Sequence, residues 1–207
     1  LKSYGRYASV LVLVVALNGM SCNVVKEIGQ AFTNLSRCSF KVDGVANFRL
    51  AGISLAGKSK LSVADAALAI TSFGRGELPA SFTLNIAAQN PNDGTGGTTK
   101  SSATLTSFAW TLRLDDTPTI SGDIPQSIEI PGTGQQTIIP LRMNLDLVKF
   151  FKDKGYDKII NLALALGGAQ GSASRVTLRA KPTIRTQFGP LTYPGEIDII
   201  DKEFRAQ

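Results

Sequence analysis

The chain contains no histidine. That removes the commonest general base, the usual transition-metal ligand and the side chain that titrates near neutrality. Only two cysteines are present, Cys22 and Cys38, too few for a zinc site of the usual Cys/His type. The adjacent carboxylates Asp115 and Asp116 do not form a catalytic pair, because neighbours on a strand point to opposite faces. "DDTP" has the composition of a turn. The expectation is a protein with no catalytic residues, no metal and no cofactor, hence not an enzyme.

An acidic excess is also missing. Lys and Arg number 22 against 16 Asp and Glu, a formal charge of +6. Two of the positive charges, Lys2 and Arg6, fall in a leader-like segment, and the rest are scattered without forming a stripe. Nucleic acid is therefore not an expected partner. Residues 90–101, "NPNDGTGGTTKS", superficially resemble a phosphate-cradling loop, but Thr99 stands where the glycine before the lysine is required. Such a loop also opens a helix. Beyond Lys100 the chain instead alternates Phe108, Trp110, Leu112 and Leu114, a strand pattern. No nucleotide is expected.

The opening "LKSYGRYASVLVLVVALNGMSC" places Lys2 and Arg6 before an apolar run from Ala8 to Leu17, then small residues and a cysteine. This is the layout of a secretory signal peptide, and the apolar run is too short for a comfortable transmembrane helix. "GMSC" resembles a bacterial lipobox, with Gly19 in place of the usual leucine. The resemblance implies a signal peptide over 1–21 and acylation of Cys22, with several chains giving a stable anchor. A Cys22–Cys38 disulfide in a secreted protein is the competing reading. With acylation, Cys38 is expected to be a small buried apolar residue.

Residues 22–38 read as a tether with a short amphipathic helix, Val24, Val25, Ile28, Phe32 and Leu35 falling at helical spacing. The helix either packs on the domain or lies near the membrane. "FKVDGVANFRLAGISLAG" predicts two short strands broken at Asp43-Gly44. "SVADAALAITSF" predicts a helix capped by Ser62 and ended by Gly74 and Gly76. Beyond Leu78 strands dominate, with Phe82, Leu84, Ile86 and Ala88 on one face and Ile139, Leu141, Met143 and Leu145 on another. A second helical stretch starts at an Asp146 cap and is broken or bent at Gly155. Short strands separated by turns predict a mainly β fold, an antiparallel β-sandwich carrying two or three helices.

"LNIAAQNPND" resembles the strand and Asn-Pro-Asn turn of the LEA14-like, or WHy, domain of the LEA type 2 class. "FAWTLRLDDTPTISGDI", "QSIEIPGTGQQTIIPLRMNLDL" and the closing "VTLRAKPTIRTQFGPLTYPGEIDI" are similar to that family in order. The resemblance covers roughly residues 39–201 and implies a fibronectin-III-like sandwich domain over 39–207, with no catalytic residues to carry over. Asn90, Pro91 and Asn92 are read as a structural turn: proline fixes φ and removes a donor, and Asn side chains bond turn backbone.

These readings converge on a non-catalytic lipoprotein of the bacterial cell envelope, anchored through Cys22, at the outer membrane. Its role is expected to be structural, interactive or protective under stress such as desiccation. The membrane is its expected partner, with an envelope protein or lipid as a further one. The alternative is a periplasmic module that binds or transfers lipid or a hydrophobic ligand, with "IINLALALGG" lining a groove.

Overall fold

The computed structural model describes residues 24–56, 58, 60–95, 99–167 and 176–199. The signal peptide and Cys22 lie outside the described residues. A helix over residues 24–37 (α1) leads into β1 (Ser39–Leu50) and the short β2 (Ile53–Ser54). After α2 (Val63–Gly74) come β3 (Pro79–Gln89), β4 (Ala103–Leu114), β5 (Thr117–Gly122), β6 (Ile128–Ile130) and β7 (Gln136–Asp146). α3 (Leu147–Phe151), a 3-10 turn (Lys152–Lys154) and α4 (Tyr156–Leu166) precede β8 (Val176–Thr186), β9 (Gly189–Thr192) and β10 (Ile197–Ile199).

The strands form two open sheets, in order β2-β1-β3-β7 and β10-β8-β4-β5, with β6 on β4 and β9 on β8. Every pairing is antiparallel. The period-two apolar pattern buries one face of the long strands β3, β4, β7 and β8, as alternation requires. Phe82, Leu84, Ile86 and Ala88 of β3 and Ile139, Leu141, Met143 and Leu145 of β7 enter the core. Phe108, Trp110, Leu112 and Leu114 of β4 do the same from the other sheet. Phe40 of β1 meets Phe108 of β4 across the two sheets, with ring centroids 5.4 Å apart. The result is a sandwich-like, mixed architecture with helices at its ends.

One expectation is corrected. Asp43-Gly44 does not break the first strand in two. β1 runs through it, shifting register against β3 between Val42 and Gly44 and again between Ala46 and Arg49. The second shift contains Asn47 at φ 56°. Two bulges absorb the extra residues and bend the strand while β3 keeps its partner.

Local chemistry sets the helices. Ser62 caps α2 in a capping box: its side chain accepts from the Asp65 amide at 3.1 Å, and the Asp65 side chain accepts from the Ser62 amide. Lys58 pairs with the same carboxylate at 2.8 Å. Asp146 Oδ1 accepts from Val148 N at 3.0 Å and from Leu78 N at 2.8 Å, which opens α3 and ties it to the strand start of β3. Gly155, at φ 75°, then separates the 3-10 turn from α4. The proline inside β7, Pro140, is tolerated because β7 is an edge strand.

Candidate functional site

The strands define two ends. α2, α3 and α4 gather where β3 begins. Where β3 ends, the 90–101 connection, the β6–β7 loop, the β8–β9 hairpin and the C-terminal half of α1 come together around the Asn-Pro-Asn turn.

Asn90 is fully buried and Asn92 is 1 % exposed. Buried amides of this kind need partners, and Asn90 finds all of its own. Its Nδ2 donates to the carbonyl of Ser101 at 2.8 Å and to that of Ile130 at 3.1 Å. Its Oδ1 accepts from the Asn92 amide at 3.1 Å and from Asn92 Nδ2 at 2.7 Å. Asn92 Nδ2 also donates to the carbonyl of Asn34, in the last turn of α1, at 2.9 Å. That carbonyl lacks a helical partner by its position, and the Cys38 thiol donates to it too, at 3.5 Å.

Backbone bonds complete the junction. Gly134 N donates to the Asn90 carbonyl and Ser101 N to that of Asn92, both at 2.9 Å. A Cβ on Gly132 would stand 2.4 Å from the Ser101 carbonyl oxygen and 2.5 Å from that of Asn92, so only glycine allows this approach. Pro91, half-buried, accepts from Asp93 N at 2.9 Å. Asp93 in turn accepts from the Thr95 hydroxyl and amide at 2.7 and 2.9 Å, which hold its carboxyl below its ordinary range.

One acceptor is left over. Asn92 Oδ1 is buried without a partner. Exchanging the amide's oxygen and nitrogen gives no relief, because an oxygen would then face the oxygens of Asn34 and Asn90. Beside the turn lies a pocket of about 260 Å³ between α1, the β3–β4 connection and the β8–β9 hairpin. Leu35, Ile184 and Phe188 give it an apolar side; Glu27, Arg185 and Gln187 give it a polar one. A second hollow of about 480 Å³ lies at the other end of the sheet, beside Pro79 and Asp146.

α1 lies on the sandwich, the first of the two arrangements its sequence allows. Leu35 is part of the core and Phe32 stacks on Tyr193 with centroids 5.8 Å apart. Gln187 Nε2 donates to a Glu27 carboxylate oxygen. Cys38 is partly buried, and burial pushes its thiol up to about 11.

The remaining candidates separate cleanly. Lys100 is exposed, and it leads into β4 rather than a helix; Gly96, Gly97 and Thr98 lie outside the described residues. Asp115 and Asp116 occupy the tight β4–β5 turn at φ 46° and 63°, with Lys154 3.7 Å from Asp115. The "IINLALALGG" stretch forms most of α4, where Ile159, Ile160 and Leu162 through Leu166 are buried in the core and line neither pocket. Among the described residues there is no group of three or more potential metal ligands, and no helix long and apolar enough to cross a membrane.

Sequence reasoning missed the junction's three-way character and Gly132. Asparagine in a turn is ordinary, and its partners Asn34, Ser101 and Ile130 are distant in sequence. The one legible hint is that "NPN" closes a buried strand and precedes a connection long enough to return over it.

No protein-family profile and no curated protein matches the chain. A solved structure of a late embryogenesis abundant (LEA) protein is similar over 94% of this chain and 89% of its own, at 15% identity and a TM-score of 0.38. A protein from Archaeoglobus fulgidus is similar over 60% of this chain and 86% of its own, at 12% identity and a TM-score of 0.32. Neither likeness is close enough to place the chain in a family.

Proposed function

We propose that the chain is a non-catalytic lipoprotein of the bacterial cell envelope, a fibronectin-III-like domain of the LEA14-like (WHy) type anchored through Cys22 at the outer membrane. It works through its surfaces and supports envelope integrity under stress such as desiccation. The observation that carries the non-catalytic part of this reading is the burial of Asn90 and Asn92; the anchor rests on the signal-peptide layout that leads into Cys22. The turn that resembles the LEA14-like domain's Asn-Pro-Asn commits its amides to backbone carbonyls of three separate segments, which is architectural rather than catalytic use. Tethering then raises the local concentration of the domain at the membrane, so weak contacts are strengthened without new interactions.

Two experiments test it. Metabolic labelling with a palmitate analogue should mark the wild-type chain and not Cys22→Ser; equal labelling removes the anchor. A deletion strain complemented with anchored or anchor-free protein, at matched abundance under osmotic or desiccation stress, should be rescued fully only by the anchored form. A hydrolytic activity abolished by one carboxylate substitution would refute the non-enzyme reading.

The second reading, a lipid or hydrophobic-ligand module, draws support from the 260 Å³ pocket with Leu35, Ile184 and Phe188 in its wall. That volume is below the roughly 300–1,000 Å³ of ordinary ligand pockets. Lipid extraction and mass spectrometry of the purified protein discriminate: a stoichiometric copurifying lipid favours this second reading.

A further inference from the structure

We propose that the first turns of α1 and the tip of the β8–β9 hairpin form a seat for a phospholipid surface, so that the domain lies directly on the bilayer rather than swinging from a tether. The inference deepens the proposed function and rests on its anchor. Leu35, Ala31, Ile28 and Val24 succeed one another at helical spacing and make one stripe of α1. The sandwich covers Leu35, but the stripe emerges part-exposed at Ile28 (38%) and Val24 (36%), and Val25 beside it is 70% exposed. The hydrogen bond from Gln187 to Glu27 brings the hairpin against this overhang. Phe188, 45% exposed, is the next residue. Exposed Lys26 and Arg185 flank the apolar group, and with the Glu27 carboxylate engaged by Gln187 between them the rim keeps one net positive charge, which suits anionic headgroups.

Covalent geometry selects the occupant. Two residues of chain span at most about 7 Å, so acylation of Cys22 would hold Val24 within about that distance of the lipid-bearing residue. Val24 to Ile28 spans about 6 Å of helix axis, one turn, enough for an apolar face of three side chains to enter the headgroup boundary. α2, at the opposite end of the eleven-residue β3, also exposes Val63, Leu68 and Ile70. It stands roughly 35 Å away and serves as an internal control.

The test uses the acylated full chain in vesicles of phosphatidylethanolamine and phosphatidylglycerol. In a Cys38→Ser background, Val25→Cys, Phe188→Cys or Val63→Cys carries an environment-sensitive fluorophore, with unchanged Trp110 emission as the check of folding. The labels at 25 and 188 should shift to the blue and be quenched several-fold more by headgroup-level spin-labelled lipid than the label at 63. If they stay as open to aqueous iodide as position 63 while the protein floats with the vesicles, the seat is wrong and the anchor stands. Energy transfer between chains labelled at 25, without lipid quenching, overturns it in favour of a second copy. A chain that does not float with vesicles sinks the anchor and the seat together.

Discussion

Asn92 Nδ2 lies 2.9 Å from the carbonyl oxygen of Asn34, fifty-eight residues earlier in the chain. One side chain thereby fastens the end of α1 to the turn that closes β3. The same amide bonds Asn90 Oδ1 at 2.7 Å, so orientation of the turn and docking of the helix are set by one group.

Asn92→Ala should therefore destabilise the protein by about 1–3 kcal/mol, the range for stranding buried hydrogen-bond partners. The loss should appear first as faster amide exchange over residues 31–37. Asn92→Asp should cost more despite equal size, since a carboxylate oxygen would face two oxygens in a buried place. Equal stability of Asn92→Asp and wild type in urea titration would show that the amide's donors do not hold the junction.

Trp110 is 7 % exposed and pairs with Gly122 of β5, whose Cβ, if it had one, would stand 2.5 Å from the indole Cζ2. Trp110→Ala should cost about 3–5 kcal/mol through the cavity it leaves. Trp110→Phe should cost clearly less, because the indole N–H is buried without a partner and its removal relieves an unsatisfied donor. Gly122→Ala should displace the ring. As the single tryptophan, its emission reports each case: blue in wild type, shifted in Gly122→Ala.

Burial holds the Cys38 thiol protonated, its pKa raised from 9.0 to about 11. At pH 8 the thiolate fraction falls roughly 100-fold by that shift, and alkylation should slow at least as much in the folded protein relative to the urea-unfolded chain. Because the folded pKa is the higher one, the thiol's contribution to stability is complete below pH 9.0 and is lost as pH rises towards about 11. Iodoacetamide kinetics in folded and unfolded samples check the first statement. Denaturant titration of wild type and Cys38→Ala across pH 8–11 checks the second, the gap between them narrowing with pH.

Much of the fold is legible in the sequence because its causes are local. The Ser62 cap with Asp65, the Asp146 cap, the break at Gly155 and the buried faces of β3, β4 and β7 each arise from residues within a turn or an alternation. The continuity of β1 through Asp43-Gly44 does not, since the same dipeptide makes a turn or a bulge according to whether a partner strand such as β3 pairs on both sides of it. The junction is legible only as a turn. Burial of Asn90 and Asn92, the need for glycine at 132 and the clamp on Asn34 come from segments that meet through the topology, and no local pattern carries them.

The sequence pattern sets α1 apart as a tether before a domain starting at residue 39, and the packing of the helix makes a measurable claim about that boundary. Leu35 is 2 % exposed within the core cluster, Phe32 stacks on Tyr193, and Asn34 accepts from Asn92. A chain beginning at residue 39 keeps every strand pairing of both sheets, so it should still fold cooperatively. It loses the burial of Leu35, about 1.5–3 kcal/mol for a leucine side chain, and leaves Asn92 Nδ2 with one fewer acceptor, about 1 kcal/mol more. Chains 24–207 and 39–207 should thus differ by about 2.5–4 kcal/mol in urea unfolding. The shorter one should also expose Leu35's former site beside Ile184, seen as increased binding of a hydrophobic dye. Equal midpoints and equal dye binding would mean that α1 is held only by what precedes it, and that the sandwich is complete without the helix.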